Sequence, residues 1–149
     1  MASLKQIEDF FAAEPIALIG VSRNPKKFGQ IAFKELKERG LNVIPVNPAT
    51  EEILGIKAFP SIAALPPEVR GVILMAKKEQ TAALVKEAIE KKIKNIWIQQ
   101  NTDSKDALKE LEGSDINFIT GECVLMHYKP RSVHKFHKTL KKLFGRFPR

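Results

Sequence analysis

Cysteine is nearly absent from this sequence, which has one, Cys123, in 149 residues. A single cysteine excludes a disulfide within the chain, and no apolar secretory segment follows Met1, so we expect a reducing, cytoplasmic location. No apolar run approaches the roughly 18 residues that a membrane-spanning helix needs. Tryptophan and tyrosine occur once each and no nucleic-acid-binding motif is present, so neither DNA nor RNA is expected as a partner.

Acidic residues are missing from the end of the chain, and the net charge of +8 is therefore local. Residues 129–149 contain no aspartate or glutamate. Their eight cations equal the excess of 25 basic over 17 acidic residues, and the rest of the chain is neutral in sum. The eight are Lys129, Arg131, Lys135, Lys138, Lys141, Lys142, Arg146 and Arg149.

The same segment has a helical pattern of apolar residues. Val133, Phe136, Leu140, Leu143 and Phe147 follow one another in steps of three and four, which predicts a basic amphipathic helix over residues 129–149. We set this helix apart from a domain over residues 1–128. Its apolar face can pack on that domain, or it can bind an anionic membrane surface or a protein partner.

Before this segment, short apolar runs alternate with helical patterns. The runs predict five buried strands, at residues 16–19, 42–46, 72–75, 95–98 and 117–119. The patterns predict helices at residues 4–12, 30–39, 79–92 and 104–111. Strands that alternate with helices form parallel sheets, so we predict one α/β domain with a doubly wound, five-stranded parallel sheet and flanking helices.

The loop after the first strand, in the stretch IGVSRNPKKFG, is typical of an anion site. Gly20 and Gly29 allow close backbone approach, and the following helix presents free N–H groups at its start. Ser22 and Asn24 add hydrogen-bond donors, and Arg23 can bind a phosphate with two hydrogen bonds. The alternative is a solvated loop in which the glycines only shape a turn.

Two common nucleotide motifs are absent. The loop has no G-x-G-x-x-G and no Walker sequence. The second strand ends in Val46, Asn47 and Pro48, without the acidic residue that dinucleotide sites use for the ribose hydroxyls. Both observations argue against the second hypothesis, an NAD(P)-dependent oxidoreductase. Because no acid follows the second strand, a ribose that carries a phosphate group would not be repelled at this position.

Several sequence motifs occur in one order: GVSRNP, VIPVNP, ILGIKAFPS at residues 53–61 and WIQ at residues 97–99. On these motifs, the sequence from Pro15 to His127 resembles the small stand-alone coenzyme A-binding proteins. That family is similar to the nucleotide-binding domain of the succinyl-coenzyme A synthetase alpha subunit. The resemblance implies a Rossmann-like fold that binds coenzyme A or an acyl-coenzyme A, a small-molecule nucleotide cofactor.

The resemblance also implies three groups of binding residues. The first loop would hold the pyrophosphate, the turn after the second strand the ribose, and the loop after the third strand the adenine or the 3′-phosphate. In this chain these groups are Gly20, Val21, Ser22, Arg23, Asn24 and Lys27; Asn47 and Pro48; and Ala76, Lys77 and Lys78. For Lys77 and Lys78, solvated cations at the start of a helix are an equal alternative.

No catalytic or metal-binding set is evident. Cys123 matches a cysteine of the family and is either a reactive thiol beside the cofactor or a buried structural one. His127 has no evident acidic partner, and His134 and His137 lack the further ligands of a zinc site. Asn101 replaces a glycine of the family in a turn that asparagine tolerates. We therefore expect binding without catalysis; the third hypothesis is an interaction module that works through the basic helix.

Overall fold

The computed structural model describes residues 2–129, which form four α-helices and seven strands. The strands are β1 Ile16–Ile19, β2 Val43–Val46, β3 Glu52–Ile53, β4 Ile56–Lys57, β5 Gly71–Leu74, β6 Asn95–Gln99 and β7 Asn117–Glu122. The helices are α1 Leu4–Ala12, α2 Phe28–Glu38, α3 Lys78–Glu90 and α4 Lys105–Leu111, and a short 3-10 helix covers Val124–Met126. The helix predicted for residues 129–149 lies outside the described residues, apart from Lys129.

The main sheet has five parallel strands in the order β2-β1-β5-β6-β7. The predicted α/β class and the five predicted strands are confirmed, with ends that differ by at most three residues. Among residues 2–129, no helix has the length and apolar character to cross a bilayer.

Both faces of the sheet are covered, as a doubly wound fold requires. Successive side chains of a strand point to opposite faces. In β1, Ile16 and Leu18 pack in the cluster that includes Phe33 of α2, and Ala17 and Ile19 pack in the cluster that includes Val85 of α3. All four residues of β1 are buried, because the strand lies between two others and between two helical layers.

The register of the strands brings three loops to the same edge. Ile19 is level with Val46 on one side and with Leu74 on the other. The residues that follow, Gly20 and Met75 among them, therefore leave the sheet side by side. The chain passes from β1 outward to β2 and then returns to β5 on the other side of β1. Ligands of open parallel sheets bind at this point, where the strand order reverses.

The hairpin of β3 and β4 was not predicted, because strands of two residues are too short to show alternation. Beyond it, Phe59 forms a parallel bridge with Val46 at the outer edge of β2. The Phe59 N–H donates to the Pro45 carbonyl over 3.1 Å, and the Phe59 carbonyl accepts from the Asn47 N–H over 2.9 Å. The main-chain carbonyl of Pro45 points away from β1 toward Phe59, and its nitrogen lies on the same side, so the missing N–H costs no bond to β1. This contact brings the segment after the hairpin beside the turn that follows β2.

Candidate functional site

Two glycines allow three segments of backbone to meet at the edge of the sheet. Gly20 has a φ of +99°, and a Cβ atom there would overlap the carbonyl of Met75, which follows β5. A Cβ atom at Gly29 would overlap the carbonyl of Gly20. The first turn of α2 therefore lies directly against the end of β1, an approach that only glycine permits.

The loop between these glycines is held by its own hydrogen bonds. The Asn24 N–H donates to Ser22 Oγ over 3.0 Å, and the Lys26 N–H donates to Asn24 Oδ1 over 2.9 Å. Gln30 of α2 closes the loop, since its Nε2 donates to the Ser22 carbonyl over 3.0 Å. None of these bonds uses the hydroxyl hydrogen of Ser22 or the side-chain N–H groups of Asn24, which remain as donors for a ligand.

Asn47 joins the loop after β1 to the turn after β2. Its Nδ2 donates to the Val21 carbonyl over 2.8 Å, and its Oδ1 accepts from the Ala49 N–H over 2.6 Å. The family resemblance assigns the Asn47 side chain to the ribose. In the structure this side chain positions two of the predicted binding loops. Its contact with a ribose stays a prediction.

The three loops enclose what we call the first cleft, with a volume of about 640 Å³. Seven of the eleven predicted binding residues line it: Gly20, Val21, Ser22, Asn47, Pro48, Ala76 and Lys77. The remaining four are not part of its wall. Arg23, Asn24 and Lys27 lie farther along the exposed loop, and Lys78 is the first residue of α3.

Sequence reasoning missed one wall of the first cleft and most of another. Pro60, Ser61 and Ile62 come from the segment after the β3–β4 hairpin. Five further residues belong to α3: Glu79, Gln80, Ala83, Leu84 and Glu87. Residues 80, 83, 84 and 87 share one side of a helix, and this spacing was the available signal. The last three missed residues, Ile19, Val46 and Met75, lie at or just after the ends of strands.

The cations around the loop have no acidic partners in the described part of the chain. Arg23, Lys26, Lys27 and Lys77 are exposed, and none of them forms an ion pair with any residue from 2 to 129. The start of α2 also lacks a side-chain cap from these residues and an acidic residue in its first turn. A helix start attracts anions through its open N–H groups and its dipole, so loop and helix together present positive charge to the ligand.

At the far end of α2, by contrast, Arg39 is buried and has hydrogen-bond partners. The Arg39 side chain is 1% exposed, and its Nη1 donates to the carbonyls of Leu125 and Tyr128 over 2.7 and 2.8 Å. Its Nη2 lies 3.0 Å from Glu35 Oε1. Through these hydrogen bonds, Arg39 links the segment after β7 to the end of α2.

A buried acidic partner of His127 corrects the sequence interpretation. His127 Nε2 lies 3.0 Å from Glu122 Oε2, and the two side chains are 3% and 4% exposed. The acid five residues earlier was overlooked because β7 extends to Glu122, beyond its predicted end at residue 119. Trp97 Nε1 donates to the Glu122 carbonyl over 3.0 Å, so this pair is built into the core.

Beside this pair lies what we call the second cleft, with a volume of about 460 Å³. It is formed at the ends of β5, β6 and β7 and at the start of α2. Its lining residues are Phe28, Gly29, Met75, Gln99, Gln100, Asn101, Thr102, Cys123 and Met126. Cys123 is half-buried, and Asn101 has the left-handed conformation expected for it, with a φ of +71°. Within residues 2–129, no three His, Cys, Asp or Glu side chains are grouped as metal ligands would be.

Comparison with known proteins identifies the family to which the chain belongs. The sequence profile described as CoA binding domain matches residues 14–129, and the chain belongs to this family. A solved structure of a hypothetical protein from Pyrococcus horikoshii has 32% sequence identity and a TM-score of 0.78. That similarity covers 85% of this chain and 90% of the other.

Curated relatives divide into small proteins and parts of larger enzymes. The alpha subunit of an ADP-forming acetate–CoA ligase II from Pyrococcus furiosus is 40% identical over 93 residues, which are 62% of this chain and 20% of that subunit. An uncharacterised protein of Bacillus subtilis is 28% identical over 109 residues, 73% of this chain and 81% of its own length. The chain spans about a fifth of the ligase subunit, whose activity therefore says nothing direct about this chain.

Proposed function

We propose that this chain binds coenzyme A or an acyl-coenzyme A, with the nucleotide part in the first cleft, and that it does so in the cytoplasm without catalysing a reaction. One observation supports this most. The first cleft lies where the strand order reverses, beside a helix start that carries cations without ion-pair partners among the described residues and no acid in its first turn. Family membership adds the class of cofactor.

The pyrophosphate is assigned to the loop between Gly20 and Gly29. Open N–H groups at the start of α2 hydrogen-bond one phosphate, and Ser22 and Asn24 supply further donors. Arg23 and Lys27 approach from the exposed side of the loop and neutralise the charge. They stand outside the wall of the first cleft because their side chains are exposed, and both are long enough to fold over a ligand.

The adenosine end is assigned to the other walls of the first cleft. Pro48, Pro60, Ile62 and Leu84 supply apolar surface of the kind that purine bases contact. Lys77 lies at the end of this surface and is exposed, which suits the 3′-phosphate. A dinucleotide fits less well, because Asn47 and Pro48 stand where an acid would bind its ribose.

Calorimetric titration with coenzyme A, 3′-dephospho-coenzyme A and NAD tests the proposal. We expect coenzyme A to bind most tightly, with weaker binding of the dephospho form because Lys77 loses its partner. Tighter binding of NAD would support the oxidoreductase alternative. No binding of any of the three would contradict the proposed function.

The variant Arg23→Ala tests the phosphate assignment. Loss of a charge-assisted hydrogen bond to phosphate should weaken coenzyme A binding about ten- to one-hundred-fold. Arg70→Ala is the matched control, because Arg70 is an exposed arginine that precedes β5 at the opposite edge of the sheet. Full coenzyme A affinity in Arg23→Ala would remove this arginine from the site.

For the basic segment of residues 129–149 we propose a separate role, attachment to an anionic membrane surface. The proposal depends on its charge pattern, eight cations and no acid with regularly spaced apolar residues. A protein partner is the alternative.

A further inference from the structure

The two clefts adjoin each other at the edge of the sheet. Met75 lines both of them. Gly20 of the first cleft and Gly29 of the second are in backbone contact, since a Cβ atom on Gly29 would overlap the Gly20 carbonyl. A cofactor whose phosphates lie at the start of α2 therefore has the second cleft directly beside its phosphates. In coenzyme A, the pyrophosphate carries the adenosine on one side and the pantetheine arm on the other. The arm ends in the thiol or thioester.

No charged side chain from residues 2–129 lines the second cleft. Phe28, Met75 and Met126 contribute apolar surface, and Gln100 and Asn101 contribute amides. Other polar groups of the lining are already committed. Gln99 Oε1 accepts from the Val124 N–H over 3.1 Å, and Thr102 Oγ1 donates to the Gln99 carbonyl over 2.7 Å.

Such a lining matches one part of the cofactor and disfavours another. The side-chain amides of Gln100 and Asn101 form no hydrogen bond within residues 2–129, and they suit the amide groups of a pantetheine arm. The apolar side chains suit a short hydrocarbon group. A terminal carboxylate would gain no cationic side chain from this lining, whereas a neutral acyl group needs none.

We infer that the second cleft takes the thioester end of the cofactor and that it favours small neutral acyl groups over acyl groups that end in a carboxylate. This inference depends on the proposed function, because it requires the nucleotide part to lie in the first cleft. It extends the proposed function by naming the kind of acyl group that the protein binds, which no sequence motif indicated.

Cys123 is the only cysteine of the chain and half-buried in the wall of the second cleft, so its alkylation reports whether the cleft is occupied. The experiment measures the rate of Cys123 alkylation by iodoacetamide in the full chain, with mass-spectrometric detection. Saturating acetyl-coenzyme A should slow the reaction at least ten-fold. Adenosine 3′,5′-bisphosphate has the nucleotide part but no arm, and it should bind without protecting the thiol.

The outcomes separate the two proposals. Binding of acetyl-coenzyme A without protection overturns the inference and leaves the proposed function intact. Equal protection by the bisphosphate also overturns it, since the effect would then come from the first cleft. No binding of either compound contradicts the proposed function itself, and the inference with it.

Acyl selectivity is tested by the ratio of affinities for acetyl- and succinyl-coenzyme A. The unmodified chain should favour the acetyl form. Gln100→Lys places a cation in the second cleft and should shift the ratio toward the succinyl form about two- to five-fold, the range for an exposed ion pair. Gln80→Lys adds the same charge to the first cleft and should change both affinities alike. A wild-type preference for succinyl-coenzyme A, or equal ratios in both variants, would overturn the selectivity.

Discussion

Arg23 and Arg39 flank the same helix, α2, in opposite environments. Arg39 ends the helix, is almost fully buried and forms hydrogen bonds with two main-chain carbonyls and a glutamate. Arg23 precedes the helix, is exposed and has no ion-pair partner within the described residues. A cation is favourable at the end of a helix and unfavourable near its start. Arg39 therefore stabilises the fold, whereas Arg23 and its neighbouring lysines form an arrangement that an anion would stabilise.

The surroundings of Arg39 and of Arg23 differ in whether the charged side chains are buried and whether they have partners. Around Arg39, buried polar groups have partners, and Glu122 with His127 continues this pattern at the end of β7. No buried side-chain polar atom in the described part of the chain lacks a hydrogen bond. Around Arg23, the cations are solvated. Three sets of variants probe these parts of the molecule, and the set with the largest expected effect comes first.

Arg39→Ala should lower the free energy of unfolding by about 3 kcal/mol or more, because two carbonyls and Glu35 lose a buried partner. Urea denaturation followed by tryptophan fluorescence measures the change, since Trp97 is fully buried. Arg23→Ala is the control and should change stability by less than about 0.5 kcal/mol. Equal destabilisation by the two substitutions would show that Arg23 also has a structural role, contrary to the comparison.

Gly20→Ala should destabilise by about 2–3 kcal/mol, because the new methyl group meets the Met75 carbonyl in a backbone conformation that L-residues rarely adopt. Gly40 has nearly the same φ, +98°, and a Cβ atom added there would meet no described atom within 4 Å. Gly40→Ala therefore isolates the conformational cost of about 1 kcal/mol. The difference between the two, measured by urea denaturation, is the steric cost of a methyl group against the Met75 carbonyl. Equal losses would mean that this close approach relaxes freely.

Replacement of Lys135, Lys138, Lys141 and Lys142 by glutamine should have the smallest effect on coenzyme A binding, less than about two-fold at physiological salt, because the proposed phosphate site uses none of these lysines and salt screens long-range attraction. The same variant should lose binding to vesicles that contain anionic lipid, measured by co-sedimentation. A large loss of coenzyme A affinity would show that the cations around Arg23 are insufficient for the phosphates. Unchanged vesicle binding would contradict the membrane proposal and favour a protein partner.

Much of this fold could be predicted because its signals are local. Apolar runs such as residues 16–19 and 96–98 are continuous because parallel strands are buried on both faces. Gly40 marks the end of α2, where it takes a left-handed conformation and its N–H bonds to the Lys37 carbonyl. The glycines of the first loop also indicated a close backbone approach, and the structure places that approach between Gly29 and Gly20.

From the residues alone one could derive the five strands of the main sheet, the four helices, the basic segment of residues 129–149 and, through the ordered motifs, the family. Which distant groups meet depends on how the elements pack. The tertiary structure paired His127 with Glu122, tied Asn47 to Val21, brought α3 to the wall of the first cleft and formed a second cleft that no charged side chain of residues 2–129 lines. Periodicity reports which face of an element is buried, because burial depends on local spacing. It does not report which partner lies opposite, because that depends on how separate elements cross.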